Sequence, residues 1–429
     1  MKQFLFLTLI IITAITNATA QTVLASGTCG AQGDNLTWTL TVKGVLTISG
    51  SGEMKDYADE NYWKDNDGGP WRFERFDRFN QRHIDIKTII IGDSVTTIGN
   101  SAFIHSNGLT SVTIGSSVRT IGSGAFEGCS SLASVIIPKS VADIRARTFA
   151  DCHNLTSIII PNSVKTIGQA TFCNCRKLTS VTIPNSITSI GCNTFSSCYS
   201  LTSITIPNGV TFIGCWAFFN SGLTSVTIPN SVATIEERAF SLCSNLASVT
   251  IPSSVTTIGV GAFANNSSLT SIDIDVNNLH YIFDNGVLFN KSKTTLVQYL
   301  FSNTNISYTI PSSVLIIGEE AFYNNSVTSV IIPNSVTTIE KKAFDGCVRL
   351  TSVIIGNRVT TIGAAAFSRC HRLSAITCYA LTPPNLDLYV FDSVNKKSCT
   401  LFVPAESIEL YQQTPIWKDF QIAAIKTNL

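Results

Sequence analysis

Two cysteines, Cys173 and Cys175, are separated by a single residue and followed by basic side chains. Such a pair could hold a metal ion, cycle between thiol and disulfide, or form half of a disulfide framework. A zinc site needs further ligands at similar spacing, and the sequence has no second pair of this kind. His153 and His371 also follow cysteines, but in different parts of the chain. The sequence therefore predicts no metal site.

Catalytic signatures are missing as well. The sequence contains no G-x-S-x-G, G-x-x-x-x-G-K or H-E-x-x-H motif. Its many hydroxyl side chains have no base at a fixed spacing. The residues Asp65–Gly68 resemble the start of a calcium loop, but the other ligands and the terminal glutamate are absent, which favours a plain polar turn. We expect no enzymatic activity and no cofactor.

Composition narrows the class of protein further. The chain has 429 residues, of which 13% are charged, and a formal net charge of +1. The length predicts several domains or one repeat array. The near-neutral charge gives no electrostatic reason to expect a nucleic-acid partner.

The first twenty residues have the pattern of a signal peptide. Lys2 is followed by the apolar run Phe4–Ile15 and the small residues Ala18–Ala20. The run is too short to span a bilayer, and no later segment has enough consecutive apolar residues. Cys29 lacks the small residue that precedes an acylated lipoprotein cysteine. We therefore expect residues 1–20 to be a signal peptide and the mature chain to be exported without a transmembrane segment.

Phenylalanines recur along most of the chain at a nearly constant interval. The interval is 22 or 23 residues, apart from one of 59 between Phe263 and Phe322. A leucine or valine follows five or six residues later, and then the pattern Thr/Ala-Ser-Val/Ile-x-Ile-Pro. The repeated phenylalanines are Phe103, Phe126, Phe149, Phe172, Phe195, Phe218, Phe240, Phe263, Phe322, Phe344 and Phe367.

Each repeat predicts a short strand and a turn. Val181–Ile183 alternates apolar and polar residues, as a half-buried strand does, and Pro184 ends the hydrogen-bond ladder. Gly191 indicates a turn, and the next phenylalanine fits a turn or 3₁₀ segment that fills the coil. One repeat cannot bury its own apolar side, so neighbouring repeats must stack. The sequence thus predicts a β-rich solenoid of stacked, parallel short strands.

Seven of the thirteen cysteines occupy one position of the repeat, three residues after the phenylalanine. Other repeats place Ser106, Ser221, Asn266 and Asn325 there, which indicates a small, mildly polar, buried side chain. Disulfides such as Cys129–Cys152 remain an alternative, since neighbouring strands lie within bridging distance. Cys192 and Cys215 form a smaller column with the same ambiguity. The structural column consists of Cys129, Cys152, Cys175, Cys198, Cys243, Cys347 and Cys370.

The full pattern, Phe-x-x-Cys-x-x-Leu-x-x-Val/Ile-x-Ile-Pro-x-x-Val-x-x-Ile-Gly-x-x-Ala-Phe, resembles the leucine-rich repeat of bacterial BspA-like surface proteins. The resemblance implies an N-terminal β cap at 21–88, a leucine-rich-repeat solenoid at 89–378 and a C-terminal cap at 379–429. The 59-residue interval is similar to the mid-array insertion of this family. Asp284–Gly286 predicts that it forms a hairpin, within about 275–311.

The solenoid should expose one column of strand residues between the two inward apolar positions of each repeat. This column is uncharged except for Asp273, and most of its members are threonine. Four isoleucines interrupt it and form a candidate binding surface of two adjacent pairs, Ile136 with Ile159 and Ile331 with Ile354. A second candidate surface is the set of insertion aromatics. They are Tyr281, Phe283, Phe289, Tyr299, Phe301 and Tyr308.

One further segment, Trp71–Phe79, alternates aromatic and arginine residues. Its apolar stripe predicts a short helix that caps the open end of the solenoid, with a binding role as the alternative.

The resemblance implies a non-catalytic binding protein, secreted or at the bacterial cell surface, with the periplasm as an alternative location. Its expected role is adhesion to proteins, such as host matrix or cell-surface proteins. A structural surface scaffold and a polysaccharide-binding module are the alternative functions. A lattice-binding surface is disfavoured, because isoleucines and Asp273 interrupt the threonine ladder.

Overall fold

The computed structural model describes residues 22–57, 68–71 and 85–426. The predicted signal peptide, most of the calcium-like turn, and residues 72–79 of the aromatic and arginine segment lie outside these ranges. The chain divides into two compact units, Met1–Ser186 and Ile187–Leu429. This division falls inside the 89–378 range that was predicted to be one solenoid, and each unit is described separately below.

The first unit is a β-solenoid that begins with an antiparallel meander, β1–β2–β3, and continues with parallel pairs. Its sheets have the strand orders β1-β2-β3-β5-β7, β4-β6-β8-β9-β11 and β10-β12. Its strands are β1 (Val23–Gly30), β2 (Gly33–Thr41), β3 (Val45–Gly50), β4 (Gly52–Glu53), β5 (Thr88–Ile91), β6 (Val95–Ile98), β7 (Ser111–Thr113), β8 (Thr120–Ile121), β9 (Asp143–Ile144), β10 (Ser157–Ile159), β11 (Thr166–Ile167) and β12 (Ser180–Thr182).

The second unit continues the same pattern and ends with a helix, α1 (Ile408–Gln413), between the short 3₁₀ turns Ala405–Ser407 and Trp417–Asp419. Its strands are β13 (Ser189–Ile190), β14 (Phe212–Ile213), β15 (Ser225–Thr227), β16 (Thr234–Ile235), β17 (Ser248–Ile251), β18 (Thr257–Ile258), β19 (Ser271–Ile274), β20 (Tyr281–Asp284), β21 (Val287–Asn290), β22 (Thr295–Tyr299), β23 (Ser307–Thr309), β24 (Ile316–Ile317), β25 (Ser329–Ile332), β26 (Thr338–Ile339), β27 (Ser352–Ile355), β28 (Thr361–Ile362), β29 (Ala375–Cys378), β30 (Asn385–Leu386), β31 (Thr400–Val403) and β32 (Gln421–Ala424).

Most repeats contribute two parallel strands, where the sequence predicted one. The first is the predicted Ser-Val-x-Ile strand, as in β25 and β27, which pair in register over four residues. The second is a two-residue Thr-Ile strand, as in β26 and β28. Two residues are too few to show an alternating pattern, so the sequence did not reveal this second ladder. We call the two sides of the coil the first-strand face and the second-strand face.

In several repeats a glycine follows the second strand and allows neighbouring turns to approach closely. A Cβ atom added to Gly168 would lie 2.2 Å from the backbone nitrogen of Ala146 in the preceding turn. A side chain at Gly168 would therefore require the neighbouring backbone to shift, whereas other repeats accommodate Arg145, Glu236 and Glu340 at this position.

The repeated phenylalanines form the core of both units, where every one of them is almost completely buried. In the first unit the ring of Trp71 stacks on Phe103 at 5.2 Å, and the next rings follow at 5.2–5.9 Å. In the second unit the rings from Phe322 to Phe391 lie 4.7–5.6 Å apart, and Trp417 contacts the last one edge-on. These spacings are close to the distance between paired strands, so each repeat adds one ring to the stack.

The turns around the phenylalanines have an unusual backbone. Residues two before and two after the phenylalanine have φ of about +50° to +76° in almost every repeat. Their N–H groups donate to carbonyls of the next turn, as in Trp216 to Glu237 (3.0 Å) and Leu242 to Ala264 (2.9 Å). These hydrogen bonds between turns offset the strain of left-handed backbone at residues other than glycine.

The insertion forms the predicted hairpin. β20 and β21 pair antiparallel from Tyr281↔Asn290 to Asp284↔Val287. Asn285 and Gly286 both have positive φ, as a type I′ turn requires. The hairpin is part of the second-strand face, because β22 pairs with β21 on one side and with β24 on the other. None of the helices in the described part of the chain has the length and apolar character that crossing a bilayer requires.

Candidate functional site

The first-strand face of the first unit presents two exposed isoleucines. Ile136 is 84% exposed and Ile159 is 71% exposed. Their neighbours Val135 and Ile158 are buried, because successive strand residues point to opposite sides of the sheet. The bridge between Ser134 and Ser157 sets the register, so that Ile136 and Ile159 are at the same level of adjacent repeats. We call these two side chains the isoleucine pair.

The second predicted pair is less accessible. Ile331 is 38% exposed. The sequence predicted that Ile354 is exposed as well, but its side chain is half-buried. Ile354 lies in register between Ile331 and Thr377, and these neighbours shield it. The same row continues to Phe402, also half-buried, which the sequence assigned to the C-terminal cap. Val403 followed by Pro404, which matches the Ile-Pro ending of the repeat strands, was the signal that this strand belongs to the row.

The insertion does not present its aromatic residues as an exposed surface. Phe289 and Tyr299 are buried, and Tyr299 stacks on Phe322 at 4.8 Å. Tyr281, Phe283, Phe301 and Tyr308 are half-buried. The hydroxyl of Tyr281 accepts a hydrogen bond from the backbone N–H of Ile258 at 2.9 Å. These rings attach the insertion to the repeats.

A shallow cavity of about 580 Å³ lies beside the hairpin. Its lining includes His280, Tyr281 and Lys291. The backbone N–H of Lys291 donates to the carbonyl oxygen of His280, and this hydrogen bond joins two segments that line the cavity. Within the described ranges, no group of three or more histidine, cysteine, aspartate or glutamate side chains is arranged to hold a metal ion.

The seven cysteines of the structural column are fully buried. In six of them, the Sγ atom lies 3.0–3.3 Å from the carbonyl oxygen of the phenylalanine one turn earlier. Asn266 makes the equivalent bond from Nδ2 to the carbonyl oxygen of Phe240, at 2.9 Å. The position therefore suits a small side chain that donates to the preceding turn. Cys173, the other member of the opening pair, is half-buried.

The buried thiols predict a loss of stability at high pH. Burial raises the pKa of the Cys129 and Cys370 thiols from 9.0 to about 12. Above pH 9 the unfolded chain releases these protons while the folded chain retains them, so the free energy of unfolding falls between pH 9 and 12. Urea unfolding at a series of pH values measures this decline.

A matched variant isolates the contribution of the thiols, since buried tyrosines also titrate in this range. In the double variant Cys129→Ser and Cys370→Ser, serine keeps a small donor at the position but does not ionise. We expect a shallower decline for this variant. The same slope in both proteins would contradict the prediction.

Comparisons with known proteins agree with this geometry. The chain matches the family described as BspA type leucine rich repeat region, in six copies, over residues 77–198, 165–294 and 294–411. No protein of curated function matches it in sequence.

Several solved structures are similar. A leucine-rich repeat protein from Bacteroides ovatus ATCC 8483 is 22% identical, with a TM-score of 0.50, and the match covers 92% of this chain and 99% of that chain. A leucine rich cell surface protein from Faecalibacterium prausnitzii A2-165 is 27% identical, with a TM-score of 0.45 and coverage of 80% and 93%. The pneumococcal vaccine antigen PcpA is 19% identical, with a TM-score of 0.46 and coverage of 95% and 100%.

The family match includes most of the chain and every repeat from which the first-strand face, the phenylalanine stack and the structural column are built. The Bacteroides ovatus structure supports the same solenoid fold. The chain belongs to the BspA-type leucine-rich-repeat family.

Proposed function

We propose that this protein is a non-catalytic binding protein that acts outside the cell as an adhesin, and that it contacts a protein partner through its first-strand face. The isoleucine pair carries the proposal, because it exposes two large apolar side chains at the same level of adjacent repeats. Membership of a leucine-rich-repeat family supports a binding role in general. The signal-peptide pattern of residues 1–20 supports export.

Strand geometry alone does not require isoleucine at these positions. In adjacent repeats the same position is Thr182, next to Ile159, or Thr113. Threonine is also β-branched and suits a strand equally well, yet it leaves less apolar surface in water. Burying an isoleucine side chain against a partner contributes about 1.5–3 kcal/mol. Contact with a partner therefore explains isoleucine at Ile136 and Ile159 better than the fold does.

The ligand class can be identified with residues 21–429 on an array of extracellular-matrix proteins and on a glycan array. We expect binding to a protein and not to glycans. Binding to glycans alone would favour the polysaccharide-binding alternative, and binding to neither would favour the structural scaffold.

The surface can be tested with the double variant Ile136→Thr and Ile159→Thr, which changes only the isoleucine pair. We expect the dissociation constant for the protein partner to rise at least about tenfold, because apolar contacts at the centre of an interface each contribute more than about 1 kcal/mol. Surface plasmon resonance measures the change.

A matched control replaces exposed apolar residues elsewhere. Val276→Thr and Val348→Thr remove similar side chains, which are 84% and 49% exposed, outside the first-strand face. The control should bind like the unaltered protein. Unchanged affinity of the double variant Ile136→Thr and Ile159→Thr would place the interface elsewhere on the chain.

A further inference from the structure

Cys192 and Cys215 differ in their surroundings from the cysteines of the structural column. Each lies two residues after a second strand, and these strands, β13 and β14, pair at Ile190↔Ile213. The two Sγ atoms lie 2.6 Å apart, and both side chains are partly exposed. Column cysteines are buried, and six of them direct the sulfur atom to a carbonyl oxygen of the preceding turn.

The backbone holds the two cysteines in place from both sides. The N–H of Gly214 donates to the carbonyl oxygen of Ile190 at 2.8 Å, just before the pair. The N–H of Asn193 donates to the carbonyl oxygen of Cys215 at 3.0 Å, just after it. A Cβ atom at Gly214 would lie 2.7 Å from the nitrogen of Cys192, so glycine favours this close approach.

This arrangement is suited to a disulfide. Paired strands lie about 4.8 Å apart, which is within the usual Cα separation of bridged cysteines, about 4.4–6.8 Å. The sulfur atoms face each other, and their partial exposure gives an oxidant access to them.

We propose that Cys192 and Cys215 form a disulfide that links two successive turns of the second unit. The oxidant is a small-molecule disulfide, RSSR. The thiolate of one cysteine attacks a sulfur atom of RSSR, which forms a mixed disulfide and releases RS⁻. The second cysteine then attacks the protein sulfur of the mixed disulfide and releases the other RS⁻. The two thiol protons pass to these leaving groups, so two cysteines are oxidised and RSSR is reduced to two RSH.

The bond would secure the end of a sheet. β13 is the terminal strand in the order β13-β14-β16-β18, and it contributes only two residues. A link between Cys192 and Cys215 closes a loop of 23 residues and ties this strand to β14 covalently. Such a cross-link limits the freedom of the unfolded chain. Burial, and the nearby Cys192 sulfur, raise the pKa of Cys215 to about 11, so closure should accelerate with rising pH.

Peptide mapping of the unaltered chain tests the proposal. The reduced protein is incubated with excess oxidised glutathione, denatured, alkylated and digested with chymotrypsin, which separates Cys192, Cys198 and Cys215 by cutting at the aromatic residues between them. We expect one cross-linked pair of peptides, containing Cys192 and Cys215. Two of the thirteen cysteines then escape alkylation and eleven are labelled.

Two variants sharpen the interpretation. In Cys215→Ser the first step still occurs but the second does not, so Cys192 should keep the mass of one attached glutathione. Cys173→Ser removes another half-buried thiol and should leave the cross-link intact. Alkylation of both Cys192 and Cys215 in the oxidised, unaltered chain would overturn the proposal, and so would a bridge from either of them to Cys198.

Discussion

Replacing Phe344 with alanine is expected to lower the free energy of unfolding of the chain by about 3–5 kcal/mol. The Phe344 side chain is completely buried, and its ring stacks on Phe322 at 4.7 Å and on Phe367 at 5.0 Å. Alanine leaves a cavity that the neighbouring rings cannot fill, because the hydrogen bonds between turns fix their separation. Urea unfolding followed by circular dichroism measures the loss.

The loss should also be local. A repeat contacts its neighbours in the stack, so amide hydrogen exchange should accelerate around Phe322, Phe344 and Phe367 and remain unchanged in the first unit. Val348→Ala is the control. Val348 is four residues after Phe344 and its side chain is exposed, so this substitution should change the free energy of unfolding by less than about 0.5 kcal/mol. Equal effects of the two substitutions would show that the stack is not the main source of stability.

The phenylalanine period predicted the repeat length and the parallel stacking, because an apolar ring that recurs every 22 or 23 residues can be buried only by stacking. The 59-residue interval and the turn residues Asp284–Gly286 predicted the hairpin. The second-strand face could not be predicted in the same way. Most of its strands outside the hairpin insertion have two residues each, and their pairing depends on the neighbouring repeat rather than on any local pattern.

The backbone of the turns was also beyond the reach of sequence reasoning. Positive φ normally indicates glycine or asparagine, but here Trp216 and Leu242 adopt it. Local preference opposes this conformation, and hydrogen bonds to the next turn enforce it. The residue types alone indicate only the local backbone preference, and not the hydrogen bonds to the next turn that overcome it.

The candidate surface was predicted in part. Alternation within the strand correctly placed Ile136 and Ile159 in solvent, because it depends only on which side of the sheet a residue faces. The degree of exposure also depends on the side chains of adjacent strands. Ile354 is shielded by Ile331 and Thr377, whereas Ile136 lies in a segment joined to its neighbour by an isolated bridge. Whether this surface binds a partner remains a prediction.

Contacts created by the insertion could not be inferred from the repeat at all. Arg238 and Glu320 are 82 residues apart, yet Nη2 of Arg238 lies 2.6 Å from both carboxylate oxygens of Glu320. Gly261 lies between them, and a Cβ atom there would approach Glu320 Oε2 to 3.2 Å. The Glu320 side chain is only 4% exposed, so Arg238 pairs with a carboxylate that has little contact with water.

Replacing Arg238 with methionine is therefore expected to lower the free energy of unfolding by about 3 kcal/mol. The substitution keeps the apolar stem but leaves the buried carboxylate of Glu320 with the more distant Lys342, whose Nζ atom is 3.7 Å away. It also removes the guanidinium from above the ring of Tyr323, where it lies 5.0 Å from the centroid. Urea unfolding measures the change, and exchange of the amides around Tyr323 locates it.

The double variant Arg238→Met and Glu320→Met distinguishes an unpaired buried charge from a simple loss of packing. When both charges are replaced by apolar groups, no carboxylate remains unpaired in the interior, so the double variant should be more stable than Arg238→Met alone. An additive result in this double-mutant cycle would mean that the two side chains act independently. The control is the exposed pair of Lys341 and Glu319, whose atoms lie 3.0 Å apart. Lys341→Met should change stability by less than about 1 kcal/mol, because solvent already screens both charges of that pair.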